Sequence, residues 1–192
     1  MERPLFLLVV LASSCRGLDW IHPDFCHRLE CPQYKVVGTN QDFEERLYVA
    51  TEWITTKVES TSSADLMAAH LRLKDYCRRQ NDAGRAIPDS WPVLVTVTDG
   101  RDLSLSWFVA PNTMKAENAD PSVTLQSRPE ATVYVRVFNS APSIESGEEN
   151  AKTLQEALVK AGKTFDPDTY SAAGYDHILS FTHHNEIWIY TP

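Results

Sequence analysis

The sequence predicts an α+β fold built from two similar halves. The order strand, helix, strand, strand occurs twice along the chain. In each copy, a helical stripe of apolar residues lies between segments that alternate with period two. One such βαββ unit would leave a face of its sheet uncovered, so we expect the halves to pack around a shared core. With 192 residues, 43% of them hydrophobic, the chain can form that core.

The first half is predicted over residues 52–110. Alternation indicates a strand at 52–58, and apolar residues three and four apart indicate a helix at 64–80. Hydroxyls of the preceding Thr61, Ser62 and Ser63 are typical caps for a helix start. Two further strands are expected at 92–98 and 103–110.

The second half repeats this order. A strand is predicted at 131–138 and a helix at 147–161, followed by strands at 178–181 and 187–190 around a short turn at 183–186. The polar stretch 111–120 is the expected linker between the halves.

The N-terminal residues predict secretion. A charged start leads into an apolar run at 4–12, and small residues follow up to Gly17. A membrane anchor is the alternative, but the run is shorter than the roughly 20 residues that span a bilayer. We therefore expect a signal peptide at 1–17, an N-terminal extension at 18–32 and the main domain at 33–192.

Three cysteines would remain after cleavage. In an oxidising compartment Cys26 and Cys31 are the most direct disulfide pair, although spacing alone does not prove connectivity. Cys77 falls in register with the apolar stripe of the first helix, which predicts a buried thiol. His22 and His27 beside the cysteine pair suggest zinc as an alternative, but their spacing matches no standard zinc site.

Charge and motif content exclude several functions. The formal net charge is −8, and loss of one acid and two bases with residues 1–17 makes it −9. An acidic surface argues against nucleic acid and anionic lipid as partners. Hydrolase elbows, metalloprotease motifs and phosphate loops are all missing, so the chain is not expected to be an enzyme. No segment after residue 17 is long enough for membrane insertion, and we expect a monomer.

Several short stretches together resemble the SOUL/haem-binding-protein family in their order and spacing. They lie at residues 34–37, 43–48, 53–56, 76, 92–93, 108–111, 131–136, 173–175 and 185–188. The resemblance covers roughly residues 32–190 and implies a distorted antiparallel β-barrel with two helices. It also implies a non-covalent haem b or other tetrapyrrole site on an apolar surface beside the first helix, and no catalytic residues.

The residues at the implied site depart from the family pattern. Leu47 stands where some members have a histidine proposed as an iron ligand, and Met67 and Leu179 stand where basic partners of the haem propionates are expected. Trp91 adds an indole near the implied mouth. The predicted site comprises Leu47, Leu66, Met67, His70, Leu71, Trp91 and Leu179.

His70 is the candidate iron ligand because it lies on the apolar stripe of the first helix and neutral imidazole binds haem iron well. The alternative is a half-buried histidine whose ring is satisfied by a backbone carbonyl. His183 and His184 are expected to be exposed in their turn.

These observations favour a secreted, non-catalytic haem or tetrapyrrole carrier or scavenger. An extracellular carrier of another flat hydrophobic ligand stays open, and so does an interaction protein with a vestigial pocket.

Overall fold

The computed structural model describes residues 20–82, 87–113, 120–177 and 180–192; at residues 79–82 it describes the backbone alone. Within these ranges the chain forms one nine-stranded antiparallel sheet and two α-helices. The predicted signal peptide, residues 1–17, lies outside the described residues. None of the described helices combines the length and hydropathy that a membrane span requires.

The elements follow the predicted order with extra strands at both ends of the first half. They are β1 Tyr34–Thr39, β2 Glu44–Tyr48, β3 Thr51–Val58, α1 Ser63–Asp82, β4 Val93–Thr98, β5 Asp102–Val109, β6 Val123–Arg128, β7 Ala131–Phe138, α2 Ile144–Lys160, β8 Thr169–Gly174 and β9 Asn185–Tyr190. A short 3-10 helix at Asp24–Cys26 precedes them.

The sheet order is β1-β2-β7-β9-β8-β4-β5-β3-β6, which displays the internal repeat. The units β3-α1-β4-β5 and β7-α2-β8-β9 are related by an approximate two-fold between β8 and β4. The strand before each repeat pairs with the other repeat, since β2 pairs with β7 and β6 with β3. This confirms the α+β class and the two βαββ halves; the sheet is open at β1 and β6, which is compatible with a distorted barrel.

Both helices pack on one face of the sheet. Side chains of β3 and β5 that face α1 alternate with side chains that face away, as a pleated strand requires. Ala69, Leu73 and Cys77 of α1 are buried on this side, and Leu154 and Leu158 of α2 fill the corresponding place in the second half. The predicted buried thiol of Cys77 is therefore present, and burial raises its pKa to about 12.

Local chemistry explains where α2 begins and ends. The Ser143 hydroxyl accepts a hydrogen bond from the Ser146 amide, and the Ser146 hydroxyl bonds back to the Ser143 amide, which forms a capping box. Gly162 has φ +65°, a conformation that an L side chain rarely adopts, and it terminates the last turn.

The opposite face of the sheet carries an aromatic cluster covered by residues 20–32. The predicted disulfide between Cys26 and Cys31 is present and buried, with Cα atoms 6.2 Å apart. Phe25 stacks on His184 with ring centroids 3.9 Å apart, and His27 Nε2 lies 3.0 Å from Asp176 Oδ1. The N-terminal extension is thus part of the folded unit.

Two strand predictions need correction. The strand expected at 178–181 is wrong: β8 forms at Thr169–Gly174, Ser180 and Phe181 lie outside any strand, and 178–179 are outside the described residues. Small residues in β8 conceal its strand pattern. Strand β6 was not predicted at all, because it is an edge strand with mostly exposed polar side chains.

Candidate functional site

The first two turns of α1 present an apolar strip to solvent. From residue 64 to 71, every exposed side chain is apolar, and the strip consists of Ala64, Met67, Ala68 and Leu71. Met67 is 54% exposed and Leu71 is 48% exposed. Residues four apart lie above one another on a helix, so these two side chains form one continuous surface. This continuous apolar surface is the candidate binding surface on α1.

Hydroxyl groups fix the start of this helix. The Ser62 hydroxyl accepts a hydrogen bond from the Asp65 amide at 3.1 Å, as a capping residue does. The Asp65 carboxylate in turn accepts from the hydroxyls of Ser60 and Ser62. These hydrogen bonds lower the pKa of Asp65, so the carboxylate stays charged at the helix N-terminus.

His70 lies at the border between this strip and the core. Its ring meets Trp107 of β5 edge-on, with centroids 5.1 Å apart and an interplanar angle of 64°. Burial, with a smaller contribution from the charge of Lys74, lowers the pKa of His70. The imidazole is therefore neutral at pH 7 and available as a metal ligand.

Neither ring of this pair has a polar partner within the described part of the chain. The imidazole of His70 makes no hydrogen bond there, so the backbone-carbonyl alternative is not observed. The buried Nε1 of Trp107 is also without a partner there. Unsatisfied buried donors are rare in native proteins and call for an explanation.

The structure brings together only part of the predicted site. Met67, His70 and Leu71 share the outer side of α1, while Leu66 is half-buried against the α1 core. Leu47 lies on β2, with five strands between β2 and β3 in the sheet.

The remaining two predicted residues lie away from this strip or beyond the description. Trp91 packs in the aromatic cluster of the opposite face and meets His27 and His177 edge-on. Leu179 lies outside the described residues. Of the predicted site residues, Met67, His70 and Leu71 are thus the ones that the described structure groups on one surface.

Lys74 is a residue that sequence reasoning missed. It is half-buried one turn beyond His70, and its charge is felt at the imidazole. The spacing of four residues would have revealed it, because residues i and i+4 are neighbours on a helix. A lysine in this place can pair with a carboxylate on a ligand bound over the strip.

A second polar group lies on the opposite face and was also missed. The carboxylate of Glu186 is fully buried on β9 and accepts four hydrogen bonds. The donors and distances are Arg46 Nη1 at 2.8 Å, His184 Nε2 at 2.9 Å, Tyr175 Oη at 3.1 Å and Trp188 Nε1 at 2.7 Å. The predicted exposed turn at 183–186 is therefore wrong, since Asn185 and Glu186 begin a buried strand and His183 and His184 are half-buried.

The network holds a stable ion pair. Burial alone would raise the pKa of Glu186, but the hydrogen bond from His184 and the charge of Arg46 lower it below its ordinary value. Burial opposes the charge on Arg46 too, yet Glu186 raises the pKa of the guanidinium. With its lone pairs occupied, Glu186 is a structural element rather than an available ligand.

Comparison with known proteins identifies relatives of this chain. Residues 29–190 match the family described as SOUL heme-binding protein. Similar proteins include human heme-binding protein 2, which is 27% identical over 158 residues (77% of each chain), and mouse heme-binding protein 1, which is 26% identical over 157 residues (77% of this chain and 83% of that one).

The fold is also found in a solved structure. The C-terminal domain of EcmrR superposes with a TM-score of 0.60, covering 82% of this chain and 96% of the domain at 10% identity, which shows a shared fold alone. The family match spans most of the sequence, including both βαββ halves and the last part of the N-terminal extension. The chain therefore belongs to the SOUL heme-binding protein family.

Proposed function

We propose that this protein binds haem b or a related tetrapyrrole non-covalently on the outer side of α1, as a secreted, monomeric, non-catalytic carrier or scavenger. One observation carries the proposal: the exposed apolar strip that includes Met67 and Leu71 adjoins a neutral imidazole at His70, which forms no hydrogen bond with any group in the described ranges. Family membership supports the choice of ligand, because the relatives are named as heme-binding proteins.

The residues present fit an iron porphyrin. The ring needs an apolar surface, the iron needs a neutral nitrogen ligand and the propionates need a cation. The strip, His70 and Lys74 supply these three functions within three helical turns. The edge contact with Trp107 orients the imidazole of His70.

Approximate binding free energies indicate that a bond to the haem iron is important for affinity and selectivity. Burial of about 300 Å² of ring surface contributes about 7 kcal/mol before the costs of association. Those costs are of similar size, so apolar contact alone gives weak binding and broad choice among planar ligands. Ligation by His70 would add both affinity and selectivity.

A carrier of a different flat hydrophobic ligand is the second candidate. It is favoured by the strip itself, whose side chains are apolar and carry no charge that could pair with an anion on the ligand. Such a ligand would have few or no anionic groups.

Titration of the mature chain with hemin and, in parallel, metal-free protoporphyrin IX tests the proposal. We expect a Soret shift with hemin at micromolar concentrations. His70→Ala should remove the spectral signature of iron ligation and leave protoporphyrin affinity nearly unchanged, whereas His22→Ala in the extension serves as the matched control. Absence of any Soret shift would refute haem binding, and binding of protoporphyrin alone would favour the second candidate.

A further inference from the structure

We propose a second ligand site, on the face of the sheet opposite the helices, which binds an apolar molecule bearing a carboxylate. The site is a cleft of about 760 Å³, here called the Arg128 cleft, between the β2–β3 turn, the end of β5, the β6–β7 turn and the N-terminal extension. Its walls include Cys31, Ala50, Phe108, Pro111, Arg128 and Pro129. This volume lies within the range of small-molecule sites, roughly 300–1,000 Å³.

The guanidinium of Arg128 is held in place by aromatic rings. Its central carbon lies 5.2 Å from the ring centroid of Trp53 and 5.7 Å from that of Tyr190. Nη1 donates a hydrogen bond to Tyr190 Oη at 2.6 Å. A guanidinium fixed in this way is a pre-organised fork for a carboxylate.

Arg46 on the same sheet offers a comparison for Arg128. Arg128 is the last residue of β6 and pairs with Thr51, whereas Arg46 lies two residues before the end of β2 and pairs with Val133.

The two arginines differ in their carboxylate partners. Arg46 is bound by Glu186 and by Glu44, each at 2.8 Å.

Arg128 hydrogen-bonds instead to a neutral group, the hydroxyl of Tyr190. No acidic group in the described ranges forms an ion pair with Arg128. The charge of Arg46 is thus balanced by carboxylates of the chain, whereas Arg128 borders a cleft.

The remaining walls define the rest of the ligand. Phe108, Val109 and Pro129 offer an apolar surface for an alkyl or aromatic body. A carboxylate with an apolar body matches both the guanidinium of Arg128 and this surface.

Fluorescence titration of the mature chain with 11-(dansylamino)undecanoic acid and its methyl ester tests this site. The acid should bind saturably and the ester about 10-fold more weakly, because the ester cannot form the charge-assisted hydrogen bonds. Arg128→Gln should weaken the acid about 10-fold and leave the ester unchanged. Arg101→Gln, an exposed arginine on the β4–β5 turn, is the matched control.

A second variant keeps the test decisive should Arg128→Gln disturb the fold. Ala50→Trp fills the cleft from an exposed turn position and should weaken both acid and ester. Equal binding of acid and ester, no saturable binding of the acid, or unchanged binding to Ala50→Trp would each overturn the proposal.

Measurements of hemin binding distinguish this site from the haem site proposed on α1. Arg128→Gln should retain hemin binding, while variants of the α1 strip should lose hemin and retain the acid. Loss of hemin binding in Arg128→Gln would overturn the assignment of two separate sites.

Discussion

The helices α1 and α2 occupy equivalent places in the two repeats, yet the outer sides of their first turns differ. From the second residue of each helix over eight positions, the exposed residues of α1 are all apolar. Over the corresponding positions of α2 they are all charged: Glu145, Glu148, Glu149 and Lys152. The inner sides are alike, with fully buried leucines on the sheet.

This difference shows which side of each helix the fold requires to be apolar. Both inner sides must be apolar because each helix covers half of a sheet. An exposed apolar strip contributes nothing to that packing, and α2 shows that the architecture is complete with charges in its place. The strip on α1 is therefore the part of the repeat that we assign to ligand binding.

The largest expected effects are losses of stability from substitutions on the inner sides of α1 and α2, and the two losses should be equal. Leu73→Ala in α1 and Leu154→Ala in α2 each remove a fully buried side chain, which we expect to cost about 3 kcal/mol of unfolding free energy. Urea denaturation of both variants measures this cost. A much smaller cost for Leu73→Ala would show that the two helices are not equivalent in packing.

The next largest effect is on hemin affinity, and we expect it for substitutions on the outer side of α1 but not of α2. Met67→Glu combined with Leu71→Glu replaces the apolar strip by charge, which should weaken hemin binding about 100-fold through lost apolar contact. Both side chains are exposed, so stability should change little. The matched control on α2 is Glu148→Gln with Lys152→Gln. Equal hemin affinity in the two double variants would contradict the proposed site.

A smaller effect is expected at Lys74. Lys74→Gln removes the cation beside His70, which should weaken hemin about 3-fold, as for a half-exposed ion pair. Hemin dimethyl ester has no free carboxylate, so its affinity should not respond to this substitution. A similar loss for both ligands would show that Lys74 acts through packing instead.

The smallest effect is the pH dependence that His70 contributes. Its pKa in the folded chain lies below the ordinary value of 6.5, so the unfolded chain binds the proton more tightly. Stability is therefore fully present above pH 6.5 and falls as the pH drops through 6.5 towards the lower folded pKa. Urea denaturation between pH 7.5 and 5 should show a shallower decline for His70→Gln than for the original chain. An identical decline would mean that burial does not suppress protonation of this imidazole.

Much of this comparison could be predicted from the sequence, because it depends on local periodicity. The apolar stripe of α1 and the alternation of β3 and β7 are strong patterns, and they located both repeats. The pairing of Cys26 with Cys31 is the most direct one that the sequence offers in an oxidising compartment, and the structure contains it. Strands β6 and β8 failed because an exposed edge and a run of small residues conceal the alternation.

The Glu186 network and the positions of Leu47 and Trp91 were harder to predict, because they depend on pairing and packing across the sheet. Glu186 looks like a turn residue until β7 and β9 pair and direct it towards Arg46, 140 residues away in sequence. Leu47 and Trp91 were grouped with α1 through resemblance, but strand order places Leu47 far along the sheet and packing places Trp91 on its opposite face. Lys74 could have been found from helical spacing alone.

Paramagnetic broadening of backbone amide signals by hemin tests most directly whether haem binds on α1. In ¹H–¹⁵N spectra of the chain, we expect substoichiometric hemin to broaden the amides of residues 64–74 first and to leave those of residues 145–155 sharp. Broadening centred on α2 or on the Arg128 cleft, with the α1 signals unaffected, would contradict it.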